Sequence, residues 1–161
     1  MSPSEGFDRA TAIWKEAYQH QMRGELDRAI ELYQRSIEVH PTAEAHTFLG
    51  WSYSFQGRLD EATQECLRAI DVDPDFGNPY NDIGCYLMQQ GKLDEAVPWL
   101  ERAKQAKRYE PRQFPHMNLA RIRIKQGRWW DALREFEQAV QLAPGDADLR
   151  RALHSLRARL N

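Results

Sequence analysis

A seven-residue phrase that returns four times constrains the fold of this chain more than any other feature of its sequence. The copies read RGELDRA, QGRLDEA, QGKLDEA and QGRWWDA, and each has a glycine at its second position. These glycines, Gly24, Gly57, Gly91 and Gly127, are separated by 33, 34 and 36 residues. Intervals of this length are typical of solenoids, in which similar small units stack in a row. The sequence therefore predicts four stacked units.

Small residues recur at fixed distances from these glycines. Seven residues before and five residues after each glycine, the chain carries Ala17 and Ala29, Gly50 and Ala62, Gly84 and Ala96, and Ala120 and Ala132. Small side chains allow two helix axes to approach closely. Each unit is therefore predicted to be a pair of tightly packed helices joined at its glycine.

The residues around each glycine also predict where the helices begin and end. The glycines suit the left-handed conformation that closes a helix. Aspartates three residues later are predicted to cap the second helix, at about 1 kcal/mol each. They are Asp27, Asp60 and Asp94. Prolines are predicted to stop three of the four second helices, at Pro41, Pro74 and Pro144.

Apolar residues between these points recur every three or four positions, which indicates amphipathic helices and no strands. A single pair of such helices is too small to bury its own apolar face, so the units must stack and the last one needs a cover. Residues 145–161 are predicted to form that covering helix. Leu149, Leu153, Leu156 and Leu160 would lie on its apolar side.

The chain resembles the tetratricopeptide repeat family, whose units follow the pattern W-x-x-L-G-x-x-Y, then A-x-x-x-F, then proline. Unit two matches with HTFLGWSY at 46–53, ATQEC at 62–66 and Pro74. Unit three offers YNDIGCYL and AVPWL, and unit four offers HMNLARIR and ALREF. The resemblance implies an all-α fold, a right-handed superhelical solenoid of four helix-turn-helix hairpins plus a C-terminal capping helix.

The repeat pattern also divides the chain into segments. We expect an N-terminal tail at 1–9, followed by units at 10–42, 43–76, 77–112 and 113–144, and the capping helix at 145–161. Unit three lacks the closing proline, and the interval to unit four is the longest. Residues 106–115 are therefore expected to hold either an extended helix end or a larger loop.

In this family the first helices of successive units line a concave groove that binds extended peptides or helices of other proteins. The resemblance therefore implies groove-facing candidates at fixed distances before each glycine. They are Trp14, Tyr18, Phe48, Trp51, Phe55, Asn81, Cys85, Met88, Asn118, Arg121 and Lys125. One carboxylate, that of Asp82, falls on the same face. The order, aromatic first and basic last, predicts a partner segment with apolar anchors at one end and an acidic group at the other.

A purely structural interpretation of these residues stands beside the functional one. Trp14, Phe48 and Phe55 could equally be packed under the N-terminal segment or against neighbouring helices, because large aromatic side chains are mostly structural. Arg121 could be a solvated charge. A subset of the family grips a terminal carboxylate with a Lys/Asn, Asn, Lys/Arg set spread over three units, and this chain does not match that set in either register. We therefore expect no binding of acidic heat-shock-type C-terminal peptides.

Charge is distributed unevenly along the chain and leaves two alternative functions open. Residues 1–101 carry a net charge of −10 and residues 102–161 a net charge of +8. The basic stretch 102–130 contains aromatic residues, a combination that can bind single-stranded nucleic acid. We favour a basic flank that contacts an acidic protein over RNA binding. The other alternative is a self-assembling structural protein, since the opposite charges at the two ends and an exposed Trp130 favour head-to-tail packing or a weak homo-oligomer.

No pattern in the sequence indicates catalysis. Nucleotide-binding and hydrolase motifs are absent, and Cys66 and Cys85 form neither a CxxC pair nor a set with histidine at ligand spacing. His46 and His116 occupy the same place in their units, which favours a packing role. We expect no enzyme, no cofactor and no metal. With no secretory signal and no apolar run long enough to span a membrane, we expect a cytoplasmic protein.

Overall fold

The computed structural model describes all residues from 1 to 161 as nine α-helices without a β-sheet. The helices are α1 (Pro3–Met22), α2 (Leu26–Val39), α3 (Ala43–Phe55), α4 (Leu59–Val72), α5 (Asn78–Gln89), α6 (Leu93–Gln105), α7 (Gln113–Lys125), α8 (Trp129–Leu142) and α9 (Ala147–Leu160). They form four antiparallel hairpins and a final single helix, which is the all-α superhelical repeat fold predicted from the sequence. None of the nine is long and apolar enough to cross a membrane.

The four repeat glycines make the turns inside the hairpins. Gly24, Gly57, Gly91 and Gly127 have φ values of 79, 76, 76 and 73°, and a Cβ added at any of them would meet no atom within 4 Å. Glycine is therefore required at these positions for its backbone conformation and not for its small size, because residues with a side chain rarely adopt a positive φ. The prediction for these glycines is confirmed.

The predicted aspartate caps are wrong by two residues. The second helices begin so soon after the glycine that Glu25, Arg58 and Lys92 occupy the capping position, and none of the three caps the helix through its side chain. The aspartates lie in the first turn, as Asp27 does in α2. There they stabilise the helix through its dipole and not by capping it. The second helices that precede a proline end two residues before it, at Val39, Val72 and Leu142.

The N-terminal segment is helical and is not the tail that was expected at 1–9. Helix α1 begins at Pro3 because Ser2 and Glu5 form a capping box. The Ser2 hydroxyl accepts a hydrogen bond from the Glu5 amide at 3.2 Å, and the Glu5 carboxylate accepts one from the Ser2 amide at 2.7 Å. Pro3 suits the first position of a helix because its missing N–H would have no partner there.

The small residues make the close contacts that the sequence predicted. Ala17, Ala29, Ala62, Ala96, Ala120 and Ala132 are fully buried. A Cβ on Gly84 would lie 2.5 Å from Leu100 Cδ2, and one on Gly50 would lie 2.8 Å from the backbone oxygen of Ala62. Within unit two and within unit three, the two helices of the hairpin therefore meet at a distance that only glycine permits.

Gly84→Ala is expected to destabilise the protein by about 1–3 kcal/mol, because the added methyl overlaps the buried Leu100 side chain. Gly145→Ala is the matched control, since a Cβ there meets nothing within 4 Å. Urea unfolding of both variants measures the difference. Equal midpoints for the two variants would contradict the close packing of α5 against α6.

The curvature of the stack follows from which helices touch. Each first helix contacts the first helix of the next unit, from α1 to α3, from α3 to α5 and from α5 to α7. No two of the second helices α2, α4, α6 and α8 contact each other. The first helices therefore line the inner, concave side of the stack, and the second helices lie on its outer side.

Helix α9 covers the end of the stack as predicted. Leu149, Leu153 and Leu156 are buried against the apolar residues of unit four, including Phe136 and Ala139. The backbone of α9 lies close only to that of α8, and its leucines share a buried cluster with Ala120 of α7.

The extra residues of unit three form a loop at 106–112 that turns back toward α5. Two backbone hydrogen bonds hold it, from Gly77 N to Arg108 O at 2.9 Å and from Arg108 N to Asp75 O at 3.0 Å. The Arg108 guanidinium also pairs with Asp73 at 2.7 Å. Tyr109 is buried against Gly77, where a Cβ would lie 2.5 Å from the tyrosine ring. Of the two possibilities left open for this region, the structure has the loop.

Candidate partner-binding groove

The inner face of the stack contains a cavity of about 510 Å³, bounded by α1, α3, α5, the 106–112 loop and the first turn of α7. We call it the aromatic cavity. Five of the candidate residues predicted from the sequence line it, namely Trp14, Tyr18, Phe48, Trp51 and Asn81. They come from three successive first helices, so the repeat brings together residues that lie far apart in the sequence.

Phe48 is the centre of the aromatic wall. Its ring centroid lies 5.5 Å from that of Trp14, 5.4 Å from that of Tyr18 and 6.2 Å from that of the buried Tyr33. Trp14 and Phe48 are thus half-buried against one another and still face the cavity, so the structural and functional interpretations of these two residues are compatible. The Trp51 ring lies beside that of the exposed Phe55, with 5.2 Å between the ring centroids.

A second, smaller cavity of about 240 Å³ lies next to the first, between α5 and α7. Three more candidates, Cys85, Asn118 and Arg121, line it together with Asn81. Asn118 donates a hydrogen bond to Asn81 Oδ1 at 3.0 Å and accepts one from Arg121 at 3.3 Å. These hydrogen bonds orient the guanidinium of Arg121, whose side chain is exposed to solvent.

The thiols on this side of the molecule are not set up as nucleophiles. Burial raises the pKa of Cys85 to about 12, and it raises the pKa of the fully buried Cys66 as well. A nucleophilic cysteine requires the opposite shift, because the thiolate is the reactive form.

The remaining three candidates lie outside both cavities. Met88 packs against the buried cluster that contains Leu100, Leu119 and Ile122, which gives it a structural role. Phe55 is exposed beside Trp51, and Lys125 is the exposed last residue of α7.

Several lining residues of the aromatic cavity were not among the candidates. They are Thr47, Asn78, Asp82, Tyr109, Glu110, Pro111 and Phe114. Four of them lie in or just after the 106–112 loop, which follows no repeat pattern and so could not be placed by counting from the glycines. Asp82 lay on the predicted face, but its repeat position does not reveal that it is half-buried without a partner.

Asp82 is half-buried in the cavity wall and makes no hydrogen bond and no ion pair with the rest of the chain. Burial raises the pKa of its carboxyl to about 7. One turn earlier on α5, the Oδ1 atom of Asn78 is buried without a donor. The cavity therefore has two unpaired acceptors on one helix face.

His46 and His116 both form buried pairs with a glutamate of the second helix in their unit. The His46–Glu65 and His116–Glu135 distances are each 2.7 Å. Although burial opposes it, hydrogen bonds from His116 and Lys104 lower the pKa of Glu135. In unit three the same two places hold Tyr80 and Trp99, whose rings are 6.3 Å apart. The equivalent positions thus join the two helices of a unit in each case.

This fold and its inner face define a helical-repeat protein. Three family models, each described as a tetratricopeptide repeat, match residues 15–79, 80–108 and 116–150. The chain belongs to the tetratricopeptide repeat family.

Relatives match this chain over less than half its length. It is 33% identical over 70 residues to the small glutamine-rich tetratricopeptide repeat-containing protein 2 of Mycosarcoma maydis, covering 43% of this chain and 20% of the relative. It is 28% identical over 75 residues to the TPR repeat-containing thioredoxin TTL4 of Arabidopsis thaliana, covering 46% of this chain and 11% of the relative. The matched segment is thus at most a fifth of either relative.

Solved structures share the fold over nearly the whole chain. The structure of Pseudomonas aeruginosa pilF has a TM-score of 0.86 at 22% identity, covering 96% of this chain and 70% of that one. MamA has a TM-score of 0.69 at 18% identity, covering 87% of this chain and 81% of that one. The Cut9–Hcn1 hetero-tetramer of the APC/C has a TM-score of 0.76 at 19% identity, covering 93% of this chain and 30% of that one. At these identities the likeness shows the fold alone.

Proposed function

We propose that this chain is a non-catalytic interaction module that binds a segment of another protein along its concave face. The observation that carries the proposal is the aromatic cavity, a space of about 510 Å³ that the helices of the chain leave open. Aromatic residues and arginine are the side chains that most often dominate the binding energy of protein interfaces. Here they line two adjoining cavities on one face.

The two cavities suit different parts of one partner segment. The aromatic cavity offers rings for apolar anchors, and the smaller cavity presents Arg121, oriented by Asn118, to an acidic group. A segment lying across α1, α3, α5 and α7 would reach both. An adaptor, scaffold or co-chaperone uses a surface of this kind.

The chemistry of the titratable groups supports a non-catalytic role. His46 and His116 are engaged by glutamates inside the helix pairs, and the Cys85 thiol has a raised pKa. None of these groups forms an acid–base or nucleophile–base arrangement in either cavity.

Binding of a protein is favoured over binding of a nucleic acid because several basic side chains of the stretch 102–130 already contact other residues of this chain. Arg102 stacks on Trp99, Lys104 pairs with Glu135, and Arg108 pairs with Asp73. These charges are partly neutralised and cannot all contact phosphates. The 59% exposed Trp130 keeps weak self-association as an alternative.

Trp51→Ala combined with Arg121→Glu is expected to weaken capture of the partner by about 30-fold or more, since a central aromatic anchor contributes about 2 kcal/mol. The matched control is Val72→Ala, which removes an exposed apolar side chain from outside both cavities. Quantitative pull-down from the native cell compares both variants with the wild type. If the double variant and the wild type recovered equal amounts of the same partner, its binding site would lie outside the groove.

A further inference from the structure

The wall of the aromatic cavity contains a charge that the chain itself does not neutralise. Asp82 lies on α5 facing the cavity and has no hydrogen-bond or ion-pair partner. No lysine, arginine or histidine lines this cavity. Lys15, the basic residue beside the aromatic wall, lies 5.9 Å from the Trp14 ring and forms no pair with Asp82. Carboxylates withdrawn from water are normally paired or hydrogen-bonded, so the half-buried and unpaired Asp82 requires an explanation.

A second acceptor on the same helix face is also unpaired. Asn78 lies four residues before Asp82, so the two side chains share one side of α5. The Asn78 amide donates to the Glu110 backbone oxygen at 3.4 Å, while its own Oδ1 is buried without a donor. The cavity wall therefore provides acceptors where a ligand would have to supply donors.

Aromatic rings surround this acceptor pair. Tyr18, Phe48 and Trp51 line the same cavity, and the faces of such rings attract cations. The exposed carboxylate of Glu110 is also part of the cavity lining. A cation in this space would meet rings and carboxylates together.

We propose that the aromatic cavity binds an arginine side chain of the partner segment, with the guanidinium paired to the Asp82 carboxylate and stacked on the aromatic wall. This inference rests on the proposed function and adds the chemistry of the partner. A guanidinium fits better than an ammonium because its flat face stacks on rings while its edge presents several donors in a fixed geometry. The segment would then carry a basic residue in the aromatic cavity and its acidic group beside Arg121.

The raised pKa of Asp82 is consistent with this assignment. Burial holds that pKa at about 7, and an arriving cation would favour the ionised form. The titratable groups that face Asp82 from the surrounding elements are Tyr18 on α1, Cys66 on α4, Cys85 and Tyr86 on α5, and Tyr109 and Glu110 of the loop. The charged residue on α7, Arg121, lines the adjoining cavity. Helix α3 contributes no titratable side chain to the cavity.

Burial raises the pKa of Cys66, Cys85, Tyr86 and Tyr109. These four groups are therefore neutral between pH 6 and 8. Ionisation of Asp82 is then expected to control binding of the cation, which should be about tenfold weaker at pH 6 than at pH 8.

The test uses the full chain and two synthetic pentapeptides of matched shape, Ac-Ala-Leu-Arg-Leu-Ala-NH2 and the same peptide with citrulline in place of arginine. Citrulline keeps the length and planarity of arginine but has no charge. Titration is followed by NMR through the indole N–H signals of Trp14 and Trp51. The arginine peptide is expected to bind about tenfold or more tightly than the citrulline peptide. It should lose that advantage in Asp82→Asn and at pH 6.

Three outcomes would overturn the inference. They are equal binding of the two peptides, an arginine preference that survives Asp82→Asn, and binding of N-acetyl-arginine amide as tight as that of the peptide, which would indicate a small molecule. Asp71→Asn, an exposed carboxylate outside the cavity, is the control and should keep the preference. The peptide test and the pull-down can also disagree. If the arginine peptide showed no preference while the Trp51→Ala, Arg121→Glu variant lost its partner, the proposed function would stand and only the arginine assignment would be wrong.

Discussion

Asp82→Asn is expected to make the protein more stable at pH 8, although it removes the carboxylate that we assign to partner binding. In the folded chain, burial raises the pKa of Asp82 from 3.8 to about 7. The stability that the protonated carboxyl contributes is fully present below about pH 4 and is lost as the pH rises through 7, because the unfolded state releases its proton first. The difference between the two pKa values corresponds to at most about 4 kcal/mol. Because the side chain is only half-buried, we expect about 2 kcal/mol.

Urea unfolding of the wild type and the variant at pH 4 and pH 8 measures this effect. The variant should gain stability over the wild type as the pH rises between these values. Asp71→Asn is the matched control, since that carboxylate is exposed and its change should stay within about 0.5 kcal/mol at both pH values. A variant no more stable than the wild type at pH 8 would mean that Asp82 is solvated, and the assignment of its pKa would be wrong. Residues that are costly for stability are often kept for function.

Deletion of residues 146–161 is expected to open unit four while leaving units one and two folded. Helix α9 buries Leu149, Leu153 and Leu156, and each buried leucine contributes about 1.5–3 kcal/mol. Its loss exposes the cluster around Phe136 to water. Because α9 packs only against unit four, the effect should weaken with distance along the stack, as in other repeat proteins.

Hydrogen–deuterium exchange of the shortened chain measures where the opening occurs. Amides of α7 and α8 should exchange much faster than in the wild type, and those of α1 to α4 should change little. Leu142→Ala in the full-length chain is the control, because Leu142 is exposed and outside the cover. Uniform loss of protection from α1 to α8 would show one cooperative unit in place of a stack.

The repeat made most of the fold predictable. A helical hairpin is specified by local features, the turn glycine, the small residues and the spacing of apolar side chains, and these recur at constant intervals. The start of α1 is also specified by local residues, namely Ser2, Pro3 and Glu5. It was not predicted from the sequence because the repeat pattern begins later in the chain. The matching histidines were noted in the sequence, but their partners were not. The pairs His46–Glu65 and His116–Glu135 could have been predicted, since histidine and glutamate occupy matching positions in units two and four.

The groove was predictable only where the repeat determines it. Trp14, Phe48 and Trp51 were placed by their distance from a glycine, and all three line the aromatic cavity. Tyr109 and Glu110 were not, because the loop that carries them folds back onto a helix about 30 residues earlier through irregular backbone contacts. Whether a carboxylate such as Asp82 finds a partner also depends on the whole surface around it and is not a property of its repeat position.

Photo-crosslinking from the groove tests the central claim most directly. The full-length chain is produced in its native cell with benzoylphenylalanine in place of Phe114, which lines both cavities and is 41% exposed. A second form carries it in place of Leu142, which is 47% exposed outside them. We expect a partner adduct from position 114 that disappears when Trp51→Ala is added, and none from position 142. An adduct formed only from position 142, or one from position 114 that persists in Trp51→Ala, would contradict a partner-binding groove on the concave face.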